Sequence, residues 1–168
     1  MSVKCRDVMW MMEDFAPSKL AESWDNPGLN VGNPNAEVSR ILVALDATEK
    51  VIDEAIEKKA DMIVTHHPLI FKPLKQLVSD KLVVLIKSGI SVFSFHTRLD
   101  ALDTGVNSAL AASLLLENVR PFDCELGLIG EAHLDMTVNE YADFVCRSLG
   151  ADSVRYIPSD KHVKKVAV

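Results

Sequence analysis

The sequence predicts an α/β fold with a mostly parallel sheet flanked by helices. Three short apolar runs rich in β-branched residues, at residues 41–45, 62–65 and 91–95, are typical of buried strands. Between them lie two segments with helical periodicity, residues 49–59 and 80–87. Strand, helix and strand in this order form parallel units that cross over right-handed.

The length and composition are those of a globular protein. With 168 residues, 48% of them hydrophobic, the chain can form one ordinary domain, or one domain and part of another, around a packed core. The formal net charge of -6 gives no broad basic surface. Extended binding to nucleic-acid phosphates is therefore not expected.

No segment predicts secretion or a membrane anchor. Glu13 and Asp14 interrupt the run Met9–Met12 before it reaches the ~7 to 15 apolar residues of a signal-peptide core. No stretch approaches the ~20 apolar residues of a membrane span. The cysteines are odd in number and widely spaced, which argues against a disulfide framework; they are Cys5, Cys124 and Cys146. We therefore predict a cytosolic protein.

The first element is predicted to be a helix over residues 3–15. It should end before Pro17, because the residue before a proline avoids the α region. Methionine and tryptophan could mark a binding site here, but a stripe at helical spacing is more typical of core packing. The predicted inward positions are Val3, Val8, Met11, Met12 and Phe15.

The next segment, residues 20–32, contains Asp, Asn, Pro and Gly in the pattern of a tight turn that leads into a short strand. The favoured interpretation is structural, with Trp24 packed. Asp25 and Asn26 could instead belong to a site on a stiff loop.

The strand at residues 62–65 runs into the clearest candidate for a site. His66 and His67 are adjacent, and Pro68 ends the strand. Neighbouring side chains on a strand point to opposite faces, so the pair converges only where the pleat is released, or else serves two ions. Imidazole binds zinc and other first-row divalent metals. A metal-ligand pair and a hydrogen-bonded structural pair both remain open.

The other two strands also run into polar residues. His96 and Asp100 follow residues 91–95, and Asp46 follows residues 41–45. Ligands of open α/β sheets bind in the crevice beyond the carboxyl ends of the strands. The sequence therefore predicts one shared rim of polar side chains.

Two of the aspartates near this rim also have structural interpretations. Asp46 can cap the following helix, with Glu49 placed to complete a capping box. Asp103 is predicted to cap a helix that starts near Gly105. Asp100 is predicted to lie in a loop, where it has no helix of its own to cap and is freer to bind an ion.

Residues 127–131 are predicted to lie near the start of the carboxyl-terminal part. A helix that includes Tyr141 and ends at Gly150 should follow, with strands at residues 153–157 and 163–168.

The sequence stops inside the last predicted strand, where a βαβ unit would continue. We therefore predict an α/β lobe that carries the metal site over residues 1–125. Residues 126–168 should form the beginning of a second, incomplete lobe.

Four motifs in order resemble the NIF-three-like family, whose members are also described as GTP cyclohydrolase I type two homologues. The motifs are Glu22–Gly32, Ala44–Thr48, Thr65–Leu69, and His96–Asp100 with Gly105–Asn107. The resemblance implies a two-lobed α/β fold, a ring-shaped homohexamer and a dinuclear divalent-metal site.

The resemblance also implies roles for single residues. His66 and His67 match the ligands that bind one metal each, and Asp100 matches the carboxylate ligand. His96 and Asp46 match positions near the site that would orient a water or a ligand. The ions could be zinc, iron, manganese or magnesium, and no residue is assigned to catalysis or substrate binding.

The activity implied by the resemblance is metal-dependent hydrolysis of a nucleotide such as GTP, with a water activated by two ions. The alternative is a non-catalytic interaction or regulatory protein whose metal site is structural or vestigial. A turnover assay separates the two, because a binding module releases neither formate nor phosphate.

The family completes its metal site with a His and a Glu four residues apart near the carboxyl terminus. Here His133 is followed four residues later by Thr137, and His162 by Val166. We therefore expect this sequence to match the amino-terminal part of a family member and to bind metal more weakly than a complete site.

Overall fold

The computed structural model describes residues 2–122 and 126–168, which form two compact units. The first unit ends at Leu102 and the second begins at Asp103. The predicted boundary after residue 125 borders residues 123–125, which lie outside the described residues, as does Cys124. The observed division comes earlier because the helix that follows Asp103 packs on the strands of the second unit.

The first unit contains six strands, four α-helices and a 3₁₀ turn at Ser18–Leu20 among its described residues. In chain order the strands and helices are β1 (Val3–Lys4), α1 (Cys5–Phe15), β2 (Gly28–Val31), β3 (Glu37–Val38), β4 (Ile41–Ala44), α2 (Glu49–Glu57), β5 (Met62–Thr65), α3 (Asp80–Ser88), β6 (Ser91–Ser94) and α4 (Thr97–Asp100).

The central sheet of this unit has the strand order β2-β6-β5-β4. β4, β5 and β6 are parallel, and β2 pairs antiparallel with β6. The prediction of an α/β fold with a mostly parallel sheet is therefore confirmed. Ala44 pairs with Thr65, and Thr65 with Ser94, so the three parallel strands end level with one another.

The two faces of this sheet contribute to two separate hydrophobic clusters. Met62 and Val64 of β5 join the residues of α1 in one cluster, whereas Ile63 joins those of α2 and α3 in the other. All four residues of β5 are buried. Helices thus cover both faces, which is why the parallel strands have continuous apolar sequences.

The first helix buries a narrower stripe than the sequence predicts. Cys5, Val8 and Met12 are buried, while Met11 and Phe15 are more than half exposed. The inward placement of Val3, Met11 and Phe15 was therefore wrong, and Val3 lies in β1 before the helix. The buried positions are three and four residues apart, as on one face of a helix.

Both predicted aspartate caps are wrong. Thr48 caps α2, since its hydroxyl accepts the Val51 N–H at 3.3 Å, and Asp46 lies before the cap position. Gly105 occupies the cap position of the next helix, so Asp103 lies outside it. Gly89 ends α3 with a left-handed φ of 68°.

The second unit contains two helices and an antiparallel sheet of order β7-β8-β9 among its described residues. Its elements are α5 (Val106–Ser113), β7 (Leu116–Pro121), β8 (Leu128–Ala132), α6 (Val138–Ser148) and β9 (Lys165–Ala167). The predicted strand at residues 153–157 is not formed in the described chain. None of the described helices has both the length and the hydrophobicity needed to cross a membrane.

Candidate metal centre

The candidate centre lies in the first unit, where the strand hydrogen bonding continues past the ends of β4, β5 and β6. The backbone N–H of His96 donates to the carbonyl of His66 at 2.8 Å. That of His67 donates to the carbonyl of Leu45 at 3.1 Å. These bonds tie the segments after the three strands together, so the side chains there share one rigid rim.

Three imidazole rings lie together on this rim, and we call His66, His67 and His96 the histidine cluster. The ring centroids of His66 and His67 are 4.8 Å apart. Those of His66 and His96, and of His67 and His96, are both 5.8 Å apart. The ends of β5 and β6 therefore bring together histidines that the sequence places in two separate motifs.

Each histidine of the cluster faces its own carboxylate. The shortest N–O distances are 2.8 Å for His67 Nδ1 to Asp46 Oδ1, 2.7 Å for His96 Nδ1 to Asp25 Oδ1 and 3.6 Å for His66 Nε2 to Asp100 Oδ1.

The carboxylates on His67 and His96 determine which ring nitrogen can act as a ligand. A carboxylate only accepts hydrogen bonds, so it holds the proton on Nδ1 of each ring. The Nε2 atoms then carry lone pairs. A carboxylate behind an imidazole is the usual outer partner of a metal-binding histidine.

The side chain of His66 is largely buried, at 18% exposed. Burial lowers its pKa, and the nearby His67 and His96 rings lower it further against the opposing charges of Asp100 and Asp46. Its Nδ1 is buried and has no hydrogen-bond partner. The ring is therefore held neutral at neutral pH, which is the form that binds metals.

Asp25 is the most buried carboxylate of the centre, with a side chain 0% exposed. Oδ1 accepts a hydrogen bond from His96 Nδ1 at 2.7 Å, and Oδ2 accepts hydrogen bonds from the Thr97 hydroxyl at 2.5 Å and the Thr97 N–H at 3.2 Å. Burial raises its pKa, but the hydrogen bonds from Thr97, His96 and Asn26 outweigh burial and hold the pKa below the ordinary value. Asp25 is therefore ionised at neutral pH.

The backbone of His96 is strained. Its φ of 46° and ψ of -129° lie in a region that non-glycine residues rarely adopt. Such a conformation persists only where the surroundings hold it, and it is concentrated at functional sites. The bonds of His96 to Asp25 and to the His66 carbonyl hold it here.

The arrangement is a set of histidine–carboxylate pairs and not a closed metal cage. Within residues 2–122 and 126–168, no group of three His, Cys, Asp or Glu side chains is already positioned to hold an ion. The donor chemistry nevertheless suits a divalent metal, because neutral imidazole nitrogens and carboxylate oxygens are its usual ligands.

Comparison with known sequences identifies the family. A sequence profile of the family described as Duf34/NIF3 (NGG1p interacting factor 3) matches residues 3–168. The chain belongs to the Duf34/NIF3 family.

Relatives within the Duf34/NIF3 family include a Clostridium acetobutylicum protein named GTP cyclohydrolase 1 type 2 homolog. It is 39% identical over 182 aligned positions, covering 100% of this chain and 68% of that protein. A Staphylococcus aureus crystal structure is 30% identical with a TM-score of 0.88, covering 98% of this chain and 70% of the other. A Bacillus cereus protein related to NIF3 has the same fold, with a TM-score of 0.91 at 24% identity over 99% of this chain and 76% of the other.

In this Duf34/NIF3 protein the sequence-based site residues lie together, and two of them have a different setting from the one predicted. Asp100 is the last residue of α4 and not a loop residue, so that prediction was wrong. Its Oδ1 still lies 3.6 Å from His66 Nε2. Asp46 contacts His67 instead of capping α2.

Sequence reasoning favoured a turn role for Asp25 over a role in a site, and it predicted Trp24 to be packed. Asp25 holds His96, whereas Trp24 is 58% exposed. The available signal was the position of both residues in the first family motif, Glu22–Gly32. Their turn-forming neighbours favoured a structural interpretation instead.

Proposed function

We propose that this Duf34/NIF3 protein binds divalent metal ions at the histidine cluster and acts as a metal-dependent hydrolase. The observation that carries the proposal is the set of imidazoles within 6 Å of one another. Two of these rings are backed by a carboxylate on Nδ1, and His66 has a buried Nδ1 without a partner.

His66, His67 and Asp100 would hold the metal, with Asp46 orienting His67. Two of the three donors are imidazoles, which suit zinc and iron better than magnesium, whose preferred ligands are oxygen atoms. Manganese accepts both donor types. His96 would lie beside the ions with its proton fixed by Asp25.

A divalent ion bound here supplies Lewis-acid chemistry and lowers the pKa of a bound water toward ~7. The side chains of this chain would fix the geometry. Asp46 and Asp25 hold the His67 and His96 rings in the tautomer with a free Nε2, and the hydrogen bond from the His96 N–H to the His66 carbonyl joins the backbones of those two residues. The relatives' name, GTP cyclohydrolase 1 type 2 homolog, points to a nucleotide as the first substrate to test.

A second candidate function is a non-catalytic interaction or regulatory protein with a structural or vestigial metal site. The observation that favours it is that no three-ligand group is already assembled in the described part of the chain. The family description, an interacting factor, points in the same direction.

The proposal includes a cytosolic homohexamer. A ring assembly is implied by the resemblance to the NIF-three-like family. The cytosol is supported by Cys5 and Cys146, which are both free thiols, Cys5 being buried.

Metal binding is expected to depend on His67 far more than on a histidine of similar exposure elsewhere. His67→Ala removes a ligand, so the affinity for zinc or manganese should fall by more than the about 10- to 100-fold that loss of an outer partner costs. Isothermal titration after dialysis against chelator measures it. The matched control is His133→Ala, since His133 is also about half exposed and pairs with the carboxylate of Glu117 at 2.7 Å. Equal loss of affinity in both variants would contradict the assignment.

The hydrolase proposal predicts turnover of GTP by the metal-loaded protein. We expect formate release that chelator removes and that His67→Ala abolishes, because both treatments empty the site. Formate and phosphate are measured separately, so that ring opening and phosphate hydrolysis are distinguished. If neither product appears with GTP, ATP or their monophosphates, the interaction function is the correct one.

A further inference from the structure

Two large aromatic side chains beside the histidine cluster are held in the open. Trp24 is 58% exposed and Phe71 is 44% exposed. Their ring centroids lie 6.1 Å apart at an interplanar angle of 64°. His96 lies 6.2 Å from Trp24 and 6.0 Å from Phe71, so the three rings form a triangle with nearly equal sides.

His96 therefore belongs to two groups of rings at once. It lies 5.8 Å from both other imidazoles of the histidine cluster and about the same distance from the two aromatic rings. Because the two ring planes are inclined by 64°, a flat molecule stacked on one ring would meet the other ring at its edge. The aromatic pair thus adds an apolar surface about 6 Å from the His96 ring.

The exposure of this pair does not come from loose loops. The side-chain amide of Asn26 donates to the Ile70 carbonyl at 2.6 Å, and the Ile70 N–H donates to Asn30 Oδ1 at 3.3 Å. The amide of Asn30 also donates to the Asn26 carbonyl at 3.1 Å. The loop that carries Trp24 is thereby fastened to the loop that carries Phe71.

Leaving two aromatic rings in water is unfavourable, and here the side chains of Asn26 and Asn30 hold together the two loops that carry them. An aromatic face that is rigid and exposed suits offset stacking with another planar ring. The neighbouring imidazoles and carboxylates suit a ring that has polar atoms on its edge, such as a purine or pyrimidine. An aliphatic ligand would use neither property.

We propose that Trp24 and Phe71 form a stacking platform for the planar heteroaromatic ring of a small molecule bound at the histidine cluster. The platform deepens the proposed function, since it names the class of molecule that this site accepts. Stacking requires no metal, so it can be measured in the presence of chelator. Failure of the platform is therefore distinguishable from failure of the metal site.

The test uses tryptophan fluorescence of the full chain in the Trp10→Phe variant, which leaves Trp24 as the only tryptophan. Guanosine 5′-monophosphate, which has a purine ring, should quench Trp24 saturably in chelator-containing buffer. Ribose 5-phosphate, which has the sugar and phosphate but no ring, should not. Phe71→Leu should weaken the nucleotide's binding about 10-fold, the effect of losing one stacking side chain.

The matched control is Phe15→Leu. Phe15 is similarly exposed and also makes an edge contact with a neighbouring ring, that of Phe95 at 6.0 Å. It should leave the nucleotide affinity unchanged. Equal quenching by ribose 5-phosphate, or equal weakening by Phe15→Leu and Phe71→Leu, would overturn the platform.

Discussion

Asp25→Ala is expected to lower the free energy of unfolding by about 3 kcal/mol, since removing one member of a buried charged network leaves its partners unpaired. The lost contacts are those to the His96 ring and to the N–H and hydroxyl of Thr97. The strained backbone of His96 also loses a contact that holds it. Urea denaturation followed by circular dichroism measures the change.

The control for Asp25 is Asp46→Ala. Asp46 makes a histidine contact of nearly the same length, 2.8 Å to His67 Nδ1, but both side chains are close to half exposed. An exposed pair of this kind contributes about 0 to 1 kcal/mol. If both variants lose the same free energy of unfolding, burial does not strengthen the contacts of Asp25 and the role assigned to it is wrong.

The contribution of Asp25 to the free energy of unfolding should also decrease at acidic pH. The pKa of Asp25 in the folded protein lies below its ordinary value of 3.8, so the unfolded chain takes up the proton first. The stabilisation is then fully present above the ordinary value and is lost as pH falls through the folded-state pKa. Asp25→Asn cannot lose a charge, so its stability should decline less steeply between about pH 5 and 2. A decline as steep as in the wild type would assign the acid sensitivity to other carboxylates.

The sheet could be predicted because its signal is local. β5 is buried at every residue, and a strand covered on both faces has a continuous apolar sequence that ends where the polar residues begin. The ends of parallel strands coincide by topology. His66, His67 and His96 could therefore be placed on one rim without knowledge of any contact.

Asp25 could not be identified from local pattern because its partners are distant in sequence. His96 and Thr97 lie 71 and 72 residues away, and nothing near Asp25 indicates that they will be close. Aspartate next to asparagine, proline and glycine is typical of turns, which explains the structural interpretation. The carboxylate serves both roles, since it also accepts the N–H of Asn26 at 2.6 Å.

The prediction that Asp46 caps α2 failed for a related reason. Asp, Ser and Thr all favour cap positions, so the sequence before α2 offers both Asp46 and Thr48. The hydroxyl of Thr48 takes the cap, which leaves the carboxylate of Asp46 for His67. Sequence spacing cannot rank two candidate caps when a distant partner competes for one of them.

Arg98→Met is expected to lower the free energy of unfolding by about 3 kcal/mol, because it removes the hydrogen-bond donors of a guanidinium that is only 3% exposed. Arg98 Nε donates to the buried carbonyl of Ala16 at 2.8 Å, and Nη2 donates to the same carbonyl and to Glu13 Oε2 at 2.6 Å. The guanidinium carbon also lies 5.7 Å from the ring centre of Phe93. One side chain of α4 thus fastens the end of α1.

Arg98→Lys should restore little of this stability, since an ammonium lacks the planar fork that reaches Ala16 and Glu13 together. The control is Arg6→Ala. Arg6 donates a hydrogen bond to Asn35 at 2.8 Å in an exposed setting, so its loss should lower the free energy of unfolding by about 0.5 kcal/mol or less. Glu13→Gln removes the charge that pairs with Arg98 and leaves the hydrogen bonds from Arg98 to the Ala16 carbonyl in place. If Glu13→Gln alone reproduces the loss in Arg98→Met, the ion pair carries the stabilisation. If it costs about 1 kcal/mol or less, as expected for a half-exposed carboxylate, the bonds to Ala16 carry most of it.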